Sequence, residues 1–81
     1  MRITVRFMSQ LQVLAGTGEA AVELSAGATA ADLFQLLRES FPDIFPLAEQ
    51  AIVMANHKIV APETGLQDGD QVMLLQLLGG G

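Results

Sequence analysis

From residue 2 to residue 8 the chain alternates. Ile3, Val5 and Phe7 fall on one side of an extended backbone, and Thr4, Arg6 and Met8 on the other. A period of two marks a strand with one buried face. Leu11 and Leu14, at helical spacing within residues 9–15, predict one short helical turn, which Gly16 and Gly18 end. Alternation resumes with Ala20, Val22 and Leu24 against Ala21, Glu23 and Ser25, a second strand close enough to the first to form a hairpin with a long loop. Gly27 breaks that strand. Thr29 and Asp32 then have the spacing at which two side chains satisfy the free N–H groups of a helix start. Leu33, Leu36, Leu37 and Phe41 follow as one apolar stripe, and Pro42 stops the helix by pushing Phe41 out of the α region.

Residues 43–50 read as a compact apolar connector around Phe45 and Pro46. Residues 52–55 and 59–61 flank Asn56, His57 and Lys58, which predicts a hairpin, since Asn and His tolerate positive φ. A loop through Pro62 and Gly65 leads to Leu66 and the tight turn Asp68-Gly69-Asp70. Residues 71–78 read QVMLLQLL, with Val72 and Leu74 on one face and Met73, Leu75 and Leu77 on the other. A strand apolar on both faces belongs in the middle of a sheet, or has its second face covered by something else. The order is two strands, one helix, then two or three strands. One helix covers one face of such a sheet and leaves the other to solvent or a partner. No repeat or linker divides the chain, so residues 1–78 are expected to form one domain and residues 79–81 a flexible glycine tail.

Composition narrows the chemistry. The 81 residues carry four basic and nine acidic side chains, a formal charge of −5 and a pI near 4.4. That balance argues against nucleic acid as a partner, because phosphate binding needs a Lys/Arg surface. There is no Cys, Tyr or Trp and one His, which removes disulfides, thiolate metal sites and a cysteine nucleophile. Absence of Cys fits a cytoplasmic protein. Hydrophobic residues make up 51% of the chain and the mean hydropathy is +0.42, yet no apolar run approaches the ~18 residues of a membrane span. The alternating N-terminus does not read as a secretory signal. The apolar excess must go into a dense core, an exposed partner-binding face, or both.

Few residues invite a chemical role. Residues 16–21, GTGEAA, match a loose dinucleotide fingerprint but precede a strand, where the fingerprint requires a following helix. His57 lacks a base or ligand set around it and reads as a turn residue. Asp68 and Asp70 lack the spaced oxygen ligands of a calcium loop and read as turn formers. Lys58 is the only lysine. The closing Gly79, Gly80 and Gly81 stand out. They read either as a frayed end or as a slim segment, free in φ/ψ, that threads an enzyme channel and presents its α-carboxylate.

The chain resembles the MoaD/ThiS sulfur-carrier family of ubiquitin-like β-grasp proteins over essentially its whole length. The likeness is carried by Phe7-Met-Ser-Gln-Leu11-Gln-Val-Leu14-Ala-Gly16-Thr17, by Gly27-Ala-Thr29-Ala-Ala-Asp32-Leu33 and by Phe41-Pro42. Asn56, Leu66-Gln-Asp68-Gly69-Asp70-Gln-Val72 and the final Gly80-Gly81 complete it. The front half is similar to the MoaD branch, the small subunit of molybdopterin synthase. The tail Leu74-Leu-Gln-Leu-Leu-Gly-Gly-Gly lacks the Pro-Pro-Val usual in that branch and is more similar to ThiS of the thiamine pathway. The resemblance implies an α+β ubiquitin-like β-grasp: a mixed four- to five-stranded sheet with one main helix on one face.

It also implies a carrier and not an enzyme. An E1-like adenylating enzyme of the MoeB or ThiF type would activate the Gly81 carboxylate with ATP. A sulfur donor protein would convert it to a thiocarboxylate, and a MoaE-like large subunit or a thiazole synthase would take the sulfur. Gly79 and Gly80 would thread the partner channel. Met8, Met73, Leu75, Leu77 and Leu78 would dock the partner, or else pack as plain core, since a buried strand reads the same way. No cofactor, nucleic acid or membrane is implied. Molybdopterin synthesis is the favoured pathway, with thiamine thiazole synthesis, protein modification and a plain β-grasp interaction domain as the other readings.

Overall fold

The computed structural model describes residues 1–76. Strand β1 (Arg2–Phe7) is followed by a short helix α1 (Gln10–Ala15), β2 (Glu19–Glu23), the main helix α2 (Ala30–Ser40), β3 (Ile52–Ala55), β4 (Lys58–Ile59) and β5 (Gln71–Leu75). The strands form one mixed sheet in the order β2-β1-β5-β3-β4. β1 and β5 run parallel at its centre, and the other pairs are antiparallel. This is the β-grasp arrangement expected from the sequence, with five strands and α2 on one face.

Alternation decides what is buried. Ile3, Val5 and Phe7 of β1 and Val72 and Leu74 of β5 point to the helix side and are essentially inaccessible. Leu33 and Leu37 of α2 meet them, while Leu11 of α1 and Ile44 close the end of the core. Each such side chain contributes about 1.5–3 kcal/mol by leaving water, which is how so short a chain sustains a fold. Phe7 and Phe41 pack with tilted rings, centroids 5.1 Å apart, so the residue that ends the helix also seals the core. As β5's two apolar faces predict, it lies between β1 and β3.

The helix start is built as its spacing predicts. The Thr29 hydroxyl accepts from the Asp32 N–H at 3.3 Å and the Asp32 carboxylate accepts from the Thr29 N–H at 2.9 Å. Two further N–H groups of the first turn are satisfied from outside the helix. Ala30 donates to the Thr64 carbonyl and Ala31 to the Pro62 carbonyl, so the loop before Leu66 is tied to the helix start. At the other end Phe41 leaves helical geometry and Pro42 opens a 3₁₀ turn, Pro42–Ile44, followed by a second, Leu47–Gln50.

The β3–β4 hairpin departs from expectation by one residue. Its turn has two residues, not three. Asn56 (φ 50°) and His57 (φ 72°) both adopt positive φ, and Lys58 already pairs with Ala55. Turns with two positive φ values match the right-handed twist of the flanking strands, which a looser loop would splay. β2 likewise starts and ends slightly earlier than its alternation suggests, at Glu19–Glu23.

Candidate functional site

The face of the sheet turned away from α2 carries the alternate residues of the same strands. Reading across it in register, Glu19, Arg6, Met73, Met54 and Ile59 form one row. Leu75 and Ile52 are opposed in the next. Beyond Arg6 the row turns polar, and the neighbouring positions Thr4 and Ala21 are opposed on β1 and β2. The face is thus split into an apolar half over β5, β3 and β4 and a polar half over β1 and β2, with Arg6 on the boundary.

Met8, Met73 and Leu75 all lie on this side or at its edge, half-buried, and outside the core that takes their neighbours Val72 and Leu74. The Met8 N–H donates to the Leu74 carbonyl at 3.2 Å, which places Met8 where β5 leaves the sheet. α1 begins two residues later and exposes Val13 and Leu14. Leu77, Leu78, Gly79, Gly80 and Gly81, the remaining residues with an expected role, lie outside the described residues.

Four residues of this face escaped the sequence reading: Arg6, Ile52, Met54 and Ile59. Ile59 is 71% exposed, high for a large apolar side chain. Met54 sits directly opposite Met73. A signal existed in the apolar run of β3, but its strand partner could not be read from a single chain, and partnership decides which of its residues joins Met73 and Leu75.

The start of β5 is pinned by polar contacts to the turns beside it. Asp70 accepts from the Gln67 N–H and from the Asn56 side-chain amide, both at 2.8 Å. The Asn56 side-chain oxygen accepts from the Gln71 N–H at 3.0 Å. The Asn56 backbone N–H donates to the Gln71 carbonyl at 2.8 Å. Asp68 accepts from the Arg2 N–H at 2.8 Å, and Gly69, at φ 86°, donates to the Arg2 carbonyl. One asparagine therefore joins the β3–β4 turn to the first residue of β5. Asp68 and Asp70 serve the turn and, among the described residues, hold no ion pair with a lysine or arginine side chain. His57 is an exposed turn residue.

On the helix side a groove of about 560 Å³ runs between α2 and the β3–β4 edge, lined among others by Phe34, Val53 and Val60. At its rim Arg38 bonds Glu49 at 2.9 Å and lies 4.4 Å from the centre of the Phe45 ring. The groove offers surface but no nucleophile or acid–base pair. Among the described residues no group of three His, Cys, Asp or Glu is placed to hold a metal. Nor, among them, is any helix long and apolar enough to cross a membrane.

The described residues thus present an apolar half-face and a β5 whose start is pinned at the centre of the sheet. Residues 5–81 match the ThiS family. The chain belongs to it. Members of this ThiS/MoaD sulfur-carrier family are carriers and not catalysts. The molybdopterin synthase sulfur carrier subunit of Chlamydomonas reinhardtii is 29% identical over 83 residues, covering 100% of both chains. Small archaeal modifier protein SAMP1 from Haloferax volcanii superposes with a TM-score of 0.91 at 19% identity, covering 100% of each chain. A chain from the complex of subunits 1 and 2 of the molybdopterin-converting factor of Helicobacter pylori gives a TM-score of 0.76 at 21% identity, again with full coverage of both. This ThiS-family protein therefore shares its β-grasp fold with sulfur carriers and with a protein modifier alike.

Proposed function

We propose that this ThiS-family protein carries sulfur as a thiocarboxylate on Gly81 for molybdopterin synthesis. The observation that carries the reading is the full-length likeness to the Chlamydomonas carrier subunit, in a chain whose last residues are Gly79, Gly80 and Gly81. A carboxylate is a poor acyl donor. Attack of a Gly81 oxygen on the α-phosphorus of ATP releases pyrophosphate and makes a mixed anhydride with AMP. Hydrosulfide then displaces AMP and leaves the thiocarboxylate; where a donor protein's persulfide attacks instead, a thiol must cleave the resulting acyl disulfide to release it. Both steps occur in partner enzymes, so this chain contributes recognition: Gly79 and Gly80 lack Cβ atoms and admit a close approach. Met8, Met73, Leu75, Leu77 and Leu78, with Ile52, Met54 and Ile59, supply apolar docking surface, and Arg6 supplies a charge at its border. Methionines suit a face that must fit an activating enzyme and a sulfur acceptor in turn. The Helicobacter factor, a complex of two subunits, supports a MoaE-like large subunit as the acceptor.

The tail, without Pro-Pro-Val, favours a second reading, a ThiS-type carrier for the thiamine thiazole. The test is incubation with an E1-like activating enzyme, ATP and a sulfide source, followed by mass analysis of the C-terminal peptide. Exchange of one oxygen for sulfur on that peptide, lost when Gly80 and Gly81 are deleted, is the expected result. An unchanged peptide, with an activating enzyme that works on its own carrier, counts against the proposal. Delivery of the sulfur to a pterin precursor by a MoaE-like subunit, and not by a thiazole synthase, separates the two pathways. An isopeptide adduct on a target lysine would instead identify a protein modifier.

A further inference from the structure

The chain contains four methionines and no Cys, Tyr or Trp, so its readily oxidised side chains are mainly those four. Their placement is uneven. Among the described residues the fully buried large side chains are Phe, Ile, Leu and Val, with no methionine. Met1 sits at the chain start, its ammonium bonded to the Leu24 carbonyl at 2.6 Å and its side chain against the edge of the core. The other three, Met8, Met54 and Met73, are half-buried on or beside the open face. Met54 and Met73 are directly opposed across the β3–β5 pair, which brings their Cβ atoms to about 4.5–5.5 Å.

We propose that Met8, Met54 and Met73 form an oxidation site that switches docking off while leaving the fold intact. The inference rests on the docking role proposed above. A thioether sulfur attacks the terminal oxygen of a hydroperoxide. The O–O bond breaks, an S–O bond forms, and water or an alcohol leaves. Sulfur gives up two electrons, the peroxide gains them, and the proton count is unchanged. Each event replaces a pliable apolar tip by a strong hydrogen-bond acceptor. On this face three such acceptors would surround Leu75 and Ile52, and a partner surface fitted to apolar side chains would have to desolvate them without supplying donors. Met1 aside, nothing in the core changes, because Val72 and Leu74, the neighbours of Met73, have no sulfur. Apart from Met1, the sulfur of the molecule is thereby confined to the open face and its edge, and reduction of the sulfoxides would restore it.

The experiment first measures thiocarboxylation of the untreated protein. It then treats the protein with graded hydrogen peroxide, removes the peroxide with catalase, and measures again. Oxygen addition and oxygen-for-sulfur exchange change an intact mass by almost the same amount, so both are located by peptide mapping. The expected result is one added oxygen on each of Met8, Met54 and Met73, a far-UV spectrum and unfolding midpoint close to the untreated values, and a fall in thiocarboxylation rate of about tenfold or more. Methionine sulfoxide reductase should reverse it. The triple variant M8L/M54L/M73L, whatever its own rate, should keep a treated-to-untreated ratio near one.

Full oxidation of the three residues with an unchanged rate would overturn the proposal. So would sparing of the three, loss of the fold on treatment, or an equal loss of rate in the triple variant. Failure of the untreated protein to be thiocarboxylated sinks the carrier reading itself, and this proposal with it. That outcome is recorded before any peroxide is added.

Discussion

The two faces of the sheet are made from the same strands and differ by one position in each pair of residues. Toward α2 stand Val5, Phe7, Val72 and Leu74, inaccessible to water; away from it stand Arg6, Met73, Leu75 and Met54, half-buried or exposed. The covered face is specified by volume: branched and aromatic side chains with few rotamers fill a fixed space against Leu33 and Leu37. The open face is apolar over β5, β3 and β4 without being filled there, and its methionines are unbranched and adaptable. Stability is therefore concentrated on one face, and the proposed recognition falls to the other. A substitution should disturb one property and spare the other.

The largest expected effect tests the covered face. Leu37→Ala should lower unfolding stability in urea by about 2–5 kcal/mol, from lost transfer energy and the cavity left under β1, while the folded fraction is still thiocarboxylated. Met73→Glu is the counterpart on the open face. It should reduce thiocarboxylation about tenfold or more by burying a charge at the docked surface and shift stability by less than about 1 kcal/mol. If Met73→Glu unfolds the protein, the open face is a second core and the division fails.

Thr29→Ala sharpens the comparison from the helix side. It removes half of the reciprocal cap on α2 and should cost about 1 kcal/mol in the same urea titration, with no change in docking. The smallest effect belongs to Arg38→Ala. Its pair with Glu49 is about half exposed on both sides, and such pairs contribute about 0–1 kcal/mol. A larger loss would mean that stacking on Phe45, and not the ion pair, holds the connector against α2.

Most of the fold was legible because local chemistry and global position agree. The Thr29–Asp32 cap, the stop at Phe41-Pro42 and the two-sided apolar pattern of β5 each have one economical reading. The hairpin was displaced by a residue because its turn places positive φ on Asn56 and His57 without glycine, and Lys58 does not read as a strand residue. The make-up of the open face, to which docking is only proposed, was half legible. Met73 and Leu75 follow from the alternation of β5, and Met8 from that of β1. Ile52, Met54 and Ile59 join them only through long-range pairing, which no local pattern encodes. Asn56 was visible as part of a family pattern, but its reason is spatial: it bonds β5 from a turn 15 residues away.

The central parallel pair has a consequence for how the protein is made. Of the described strands β1 is synthesised first and β5 last, and the Arg2–Asp68 contact beside them spans 66 residues. Until β5 emerges, β1 has only β2 beside it, and Leu33 and Leu37 lack half of the surface they cover. Contacts of such long sequence separation form late. A chain broken off before Gln71 keeps only the separate pairs β1–β2 and β3–β4, each a two-stranded ribbon that is marginal by itself, and should be open to proteolysis. Topology thereby ties folding to translation through β5, because without Val72 and Leu74 the core shared by β1 and α2 cannot close.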